Sequence, residues 1–181
     1  KSGKADLSSF LSKNIPILMA GNMSLTVDAE ESYLLDLSLD IFESVFLDPD
    51  LSSWSGLGLA VQAYQKRAFY LIDWLVDLAH RGGRKIQVRL VKGAYWDTEI
   101  KHAQVEGHPE YPVFTKKVST DVSYIACAKK LLSFSDALYP KFATHNAYSV
   151  AAILALMGDD ITSKSFEFQN LQGMGRALHD Y

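Results

Sequence analysis

Between Ile86 and Trp96 the chain reads I-Q-V-R-L-V-K-G-A-Y-W, a run holding two cations, a glycine and two aromatics. Ile86, Val88, Leu90 and Val91 suit a buried strand. Arg89 and Lys92 are therefore cations carried into an apolar setting, where charge is costly unless an anionic or strongly polar group meets it. Gly93 permits a turn or a close approach. Tyr95 and Trp96 follow at the strand exit, where their rings suit stacking on a planar ligand. The set describes one wall of a pocket for a flat, negatively charged molecule. It equally describes an ordinary strand whose Arg89 pairs with a carboxylate, and the local pattern weighs the two evenly.

Two further groups carry chemistry. Asp28, Glu30 and Glu31 stand close enough to repel unless a cation or proton intervenes. The glutamates read as the acidic start of a helix, which leaves Asp28 as the pocket candidate. Thr144-His145-Asn146 ends a strand and opens a helix, a setting suited to phosphate or another anion. No paired histidines accompany His145, so the metal signal is weak. A metal-assisted hydrolase would use Asp28, Glu31 and His145. Lys116 and Lys117 read as solvated surface, and no nucleophile–base pairing can be read from separation along the chain.

Five strands must position these groups: 24–27, 56–61 ending at Gln62, 85–93, 140–144 and 166–171. The spacing predicts helices between them. The first runs from Glu30 with Leu34, Leu37, Ile41 and Val45 on one face, flanked by Leu35, Phe42 and Phe46, and stops at Asp48-Pro49. The second has Leu71, Trp74, Leu75 and Leu78 inward and Gly82-Gly83 as its stop. A short one covers about 97–105. The next starts at an N-cap Thr120 with Val122, Ile125, Ala126 and Leu132 inward, and the last spans 147–157 behind an N-cap Asn146. Before them, Asp6 caps a short helix through Leu7, Phe10 and Leu11 that Pro16 ends.

Strand–helix alternation argues for an α/β fold with a parallel sheet. Asp28, Gln62, Lys92 with Tyr95, His145 with Asn146, and Gln169 all fall at strand ends. Such a distribution favours a (β/α) barrel over a doubly wound sheet with one switch point. Five strands are too few to close a barrel of eight.

The chain has 181 residues, 48% hydrophobic and 22% charged, enough for one globular unit with a sizeable core. A net charge of −3 argues against a nucleic-acid surface. No apolar run reaches the length of a membrane span and no signal peptide is visible. A single cysteine, Cys127, excludes an internal disulfide and reads as an inert core thiol in a cytoplasmic protein. The start at Lys1 suggests a piece of a longer chain.

R-L-V-K-G-A-Y-W-D at 89–97 resembles the proline dehydrogenase domain of the bifunctional bacterial proline utilisation A family. So do T-V-D-A-E-E at 26–31, Q-A-Y-Q-K-R at 62–67, Y-P-V-F-T-K-K at 111–117 and T-D-V-S-Y-I-A-C-A-K-K-L-L at 120–132. F-A-T-H-N at 142–146 and E-F-Q-N-L-Q-G-M-G at 167–175 complete the set. The resemblance begins at about residue 22 and leaves 1–21 poorly matched. It implies a TIM-like (β/α)8 barrel of the proline dehydrogenase type, of which 22–181 is the central part, strands three to seven. The first two strands and the last strand, with a lysine and an arginine pair that hold the substrate carboxylate, would lie outside it.

The implied activity is FAD-dependent oxidation of L-proline to Δ1-pyrroline-5-carboxylate, with electrons passed to quinone and peripheral contact with the inner membrane in the parent protein. The implied flavin contacts are Gln62, Arg89, Val91, Lys92, Gly93, Ala94 and Trp96 around the ring, and Thr115, Lys116, Thr120, Phe142, Thr144, His145, Asn146 and Gln169 around the rest of FAD. Asp28, Ala94, Tyr95 and Leu171 match the proline pocket, with Arg89, Tyr95 and Asp28 as the residues expected to act in the chemistry. A catalytically inactive barrel fragment is the remaining alternative.

Overall fold

Alternating side chains in five short segments sort the sheet into two faces. The computed structural model describes residues 13–158 and 166–180. Its strands are β1 (Leu25–Val27), β2 (Leu57–Gln62), β3 (Ile86–Val91), β4 (Leu138–Ala143) and β5 (Glu167–Gln169). They pair in chain order, β1-β2-β3-β4-β5, and every pairing is parallel. Leu57, Leu59, Val61, Ile86, Val88, Leu90, Leu138 and Phe142 are almost fully buried and join the helices in one core. The intervening residues line up across the sheet, Ala60 with Arg89, Arg89 with Lys141, and Ala143 with Gln169. This second face carries the polar groups.

The helices are α1 (residues 13–20), α2 (Leu35–Phe46), α3 (Ala68–Gly82), α4 (Trp96–Val105), α5 (Lys117–Ser133), α6 (Ala147–Met157) and α7 (Arg176–His179). Parallel neighbours joined in sequential order by right-handed crossovers place their helices on one side of a sheet. Accordingly α3 packs against α5, and α5 against α6, β3 and β4. Gly83 ends α3 in the left-handed conformation, φ 64°, with its N–H returned to the last turn. Asn146 caps α6 as its position suggests, its side-chain oxygen accepting from Ser149 N at 3.0 Å.

Several expectations need correction. The helix after Glu30 starts later, through a 3-10 turn at Ser32–Leu34, and its buried residues are Leu35, Ile41, Phe42 and Phe46. Leu37 is 45% exposed. Two phenylalanines bury more area than the leucine and valine of the competing row, so they set the rotation. Helix α5 begins at Lys117, and Thr120 lies buried inside it instead of capping it. Lys117 and Asp121 support that extra turn as an i,i+4 ion pair at 2.7 Å. Tyr124, Cys127, Ala128 and Leu131 face the core. Ile125 and Leu132 are partly buried against the same core, as expected, whereas Val122 is exposed; with Ile125 and Ala126 it lines a groove of about 640 Å3 that reaches Asn146 and Tyr148 of the α6 start.

Residues 13–20 are helical through Pro16, so the expected stop there is absent; Ile15, 1% exposed, anchors the segment in the core. The cap assigned to Asp6, with Leu7, Phe10 and Leu11, lies outside the described residues. Strand β4 starts at Leu138 and contains Pro140, a residue that cannot donate to a ladder. Strand β5 pairs with β4 only from Lys141 onward, so the proline precedes that ladder.

Candidate functional site

The polar face of the sheet and the loops at the C-terminal strand ends enclose a cleft of about 1180 Å3. Its lining includes Asp28, Gln62, Arg89, Val91, Lys92, Gly93, Ala94, Tyr95, Thr144, His145, Asn146, Gln169 and Leu171. Ends of all five strands therefore meet there.

Arg89 is its electrostatic centre. Its Nη1 donates to Asp28 Oδ1 at 2.6 Å and its Nε to Gln169 Oε1 at 2.8 Å. Gln169 is in turn oriented by its Nε2, which donates to Glu167 Oε1 at 2.6 Å. Arg89 thus joins β1 to β5 across the sheet, and among the described residues its Nη2 carries no protein partner. The pairing with a carboxylate weighed for Arg89 is real, and it occurs at the cleft wall.

Lys92, at the exit of β3, donates to Asp121 Oδ1 at 2.5 Å, while Lys117 takes Asp121 Oδ2 at 2.7 Å. Two cations on one carboxylate leave a net positive charge. Hydrogen bonds from Lys117, then from Lys92, hold the Asp121 carboxyl below its usual range. Lys92 also sits 5.7 Å above the Tyr124 ring.

Gly93 makes the turn after β3 with φ 148°, pressed against the buried ring of Tyr64. The turn presents Ala94 N to Gln62 Oε1 at 2.9 Å, while Gln62 Nε2 donates to Glu30 O, also at 2.9 Å. Gln62 is 3% exposed, and both ends of its amide brace the β1 and β3 exit loops. Tyr95 closes the same wall: its hydroxyl donates to Glu30 Oε2 at 3.2 Å, and that bond, with the charge behind it, raises the phenol's pKa. His145 Nε2 accepts from Leu171 N at 3.0 Å, so a neutral ring carries its proton on Nδ1.

Five of the expected positions stand outside the cleft lining. Trp96, half exposed, donates from Nε1 to Phe114 O at 2.9 Å. Thr115 and Lys116 are exposed in the segment before α5, and Thr120 is buried within it. Phe142 is fully buried, its ring 6.0 Å from those of Phe166 and Phe168. Conversely Ala29, Ala60, Lys117, Ala143, Phe168 and Asn170 line the cleft without having been singled out. Ala60 and Ala143 had a readable signal, since small residues on the polar face of a strand leave room. Lys117 had none, because an exposed-looking lysine reads as surface. The trio Asp28, Glu31 and His145 does not converge: Asp28 is held by Arg89 and His145 by Leu171. Among the described residues, no three metal-ligating side chains stand close enough to share an ion.

The cleft combines cations with apolar walls at the C-terminal ends of consecutive parallel strands, the place where parallel α/β folds carry their sites. The pattern of the family described as proline dehydrogenase matches residues 14–181, and the chain belongs to that family. It is 54% identical over 159 residues to the bifunctional protein PutA of Salmonella typhimurium, covering 88% of this chain and 12% of that protein. A point mutant of Bradyrhizobium japonicum proline utilisation A superimposes with a TM-score of 0.89 at 49% identity, covering 98% of this chain and 18% of that one. A Bdellovibrio bacteriovorus proline utilisation A structure, inactivated by N-propargylglycine, gives 0.92 at 32% identity over the same shares. The chain therefore spans about an eighth of the length of the curated relatives it matches. No helix among the described residues is long and apolar enough to cross a membrane.

Proposed function

We propose that this cleft holds FAD and that the protein oxidises L-proline to Δ1-pyrroline-5-carboxylate, with quinone as the final electron acceptor. The five consecutive parallel strands are read as strands three to seven of a (β/α)8 barrel, with 22–181 as its central part. One observation carries the proposal: a guanidinium fixed at the cleft wall by Asp28 and Gln169, with one nitrogen left open among the described residues. Family membership adds the redox class.

The donor set fits the cofactor. A dinucleotide needs cations for its phosphates, and Lys92 with Lys117 and the first amides of α6 offer positive charge. Its ring needs a flat apolar surface, which Ala60, Val91, Ala143 and Phe168 provide. Bound there, the flavin would supply the acceptor for a hydride, two electrons with one proton. Arg89 would offer such a group a fixed positive charge, and its bonds to Asp28 and Gln169 mean that it need not reorganise to do so.

Proline reacts by losing the hydrogen and bonding pair of its ring carbon next to nitrogen, while the nitrogen lone pair forms the new C=N bond. The amine must first be neutral, and among the described residues no side chain stands out as its base; water is the proposed proton acceptor. Tyr95 and Leu171 wall the proline side, and Asp28 sets its polar edge. Orientation within this wall is the chain's main contribution. In the parent protein this would take place in the cytoplasm, with peripheral contact at the membrane that supplies the quinone.

The test is chromatographic and kinetic. Heat-released cofactor from the full-length protein should co-elute with FAD, and dye-coupled proline oxidation should be lost in Arg89→Met. A protein that releases no flavin and oxidises no proline would refute the proposal.

A further inference from the structure

A buried carboxylate stands behind the cleft without lining it. Glu99, in the first turns of α4, is 2% exposed. Its Oε1 accepts from Ser32 N at 2.5 Å and its Oε2 from Ser32 Oγ at 2.6 Å, a contact between residues 67 apart. The same serine is gripped from its other side, since Arg67 Nη2 donates to Ser32 O at 2.5 Å while its Nη1 pairs with Asp36 at 2.8 Å. Ser32 opens the 3-10 turn that follows the loop leaving β1, and the loop carries Asp28 and Glu30.

That loop has no regular secondary structure between Val27 and Ser32. It is tied at three places: by Asp28 to Arg89, by Glu30 to Gln62 and Tyr95, and by Ser32 to Glu99 and Arg67. The first two ties belong to the cleft itself. The bonds of the exposed Asp28 carboxylate and of the Tyr95 phenol compete with water, and the bond from buried Gln62 to Glu30 O joins two neutral groups. Only the Ser32–Glu99 tie is both charged and shielded from solvent, and hydrogen bonds to charged groups in such places are the stronger kind. Tyr33, stacked on His102 of α4 at 5.2 Å, extends the same junction at the surface.

We infer that Glu99 is a positioning residue for the substrate wall: through Ser32 it fixes the β1 exit loop, so that Asp28 meets Arg89 and Glu30 meets Tyr95. The inference rests on the proposed proline pocket for its kinetic consequence and on geometry alone for its structural one. Glu99 lies outside the cleft lining. Its loss would loosen Asp28 and Tyr95 together while leaving the Arg89–Gln169 bond in place. The expected signature is a rise in the proline KM larger than the fall in kcat.

The experiment uses the full-length protein and four forms: Glu99→Ala, Glu99→Gln, Ser32→Ala and the Ser32→Ala/Glu99→Ala double variant. Hydrogen exchange of the 28–34 amides is measured beside that of α3. Proline KM, kcat and flavin content are measured on the same samples. Glu99→Ala should speed exchange across 28–34 with α3 unchanged and raise KM by about tenfold, with kcat within about threefold. Ser32→Ala should move KM the same way by a smaller factor, and the double variant should be no worse than Glu99→Ala. Glu99→Gln keeps a carbonyl for Ser32 N and an N–H for the hydroxyl, so it should recover most of the loss.

Unchanged exchange in 28–34, unchanged KM, or equal loss of flavin, kcat and α3 protection would each overturn the inference. If Glu99→Ala does not fold, Ser32→Ala decides, because it removes only one bond; an unchanged KM and unchanged loop exchange there refute the clamp. Exchange is read whether or not proline is oxidised, so failure of the proposed activity and failure of the clamp are separate results.

Discussion

Replacing Gly93 by alanine should be the most damaging single methyl addition in the site. A Cβ there would stand 2.4 Å from Tyr64 Cγ and 2.5 Å from both Cδ atoms, where carbon atoms normally keep about 3.5–4 Å. Tyr64 is 2% exposed, so its ring cannot swing into solvent. Overpacking of this kind costs about 1–3 kcal/mol. The backbone adds its own penalty, since φ 148° is a conformation that residues with a side chain rarely adopt, at about 1–3 kcal/mol. Together these give about 2–6 kcal/mol, a large share of the roughly 5–15 kcal/mol that stabilises a typical domain. With a urea m-value of about 2 kcal/mol/M, the midpoint should fall by about 1 M or more.

Gly83→Ala is the control. Gly83 also has positive φ, 64°, but nothing lies within 4 Å of its added methyl, so it should lose only the conformational part, about 1 kcal/mol. Combining Gly93→Ala with Tyr64→Leu should cost less than the two changes added, because the ring clash is gone. A Gly93→Ala midpoint equal to that of Gly83→Ala, or strict additivity with Tyr64→Leu, would refute the contact argument.

Other outcomes follow from the same geometry. Arg89→Ala removes the charge and takes the donor from Asp28 Oδ1 and Gln169 Oε1, so flavin affinity or its rate of reduction should fall by about two orders of magnitude, read by flavin titration and rapid mixing with proline. Tyr95→Phe removes the bond to Glu30 and should raise the proline KM more than it weakens FAD binding; lost FAD with intact proline affinity would place Tyr95 in the cofactor shell instead. The Asp121 carboxyl has its folded-state pKa lowered, so its contribution to stability is present above the usual carboxylate value and is lost as pH falls through the folded one. The stability lost between neutral pH and the acid side of pH 4 should therefore be smaller in Asp121→Asn than in the unmodified protein, as urea midpoints at several pH values would show. Cys127 is fully buried, and burial raises its thiol pKa, so alkylation should proceed only at the rate of unfolding.

Much of the strand framework was legible because it rests on local chemistry. Ile86, Val88 and Leu90 alternate with Gln87 and Arg89, and that period of two assigns faces before any partner is known. Strand-end residues at Asp28, Gln62, Lys92, His145 and Gln169 pointed to one cleft for the same reason. Helix faces were less legible. Helix α5 has apolar residues most of the way round, so Val122 competed with Tyr124 and Cys127 for the inner face, and only packing against α3 and α6 decides between them. The bonds themselves were invisible. Arg89 reaches Asp28 across 61 residues and Gln169 across 80, and Glu99 reads as an ordinary acidic residue in the first turn of α4 until Ser32 is beside it. Such pairings depend on how neighbouring strands and loops approach, which no single stretch encodes.

The most direct test of the account is anaerobic titration of the purified full-length protein with L-proline, followed in the visible spectrum. A flavin absorption band should be present and bleached by proline, with an equivalent amount of Δ1-pyrroline-5-carboxylate formed, and Arg89→Met should abolish the bleaching. A protein that stays colourless after incubation with FAD, or whose flavin band is untouched by proline, would contradict it.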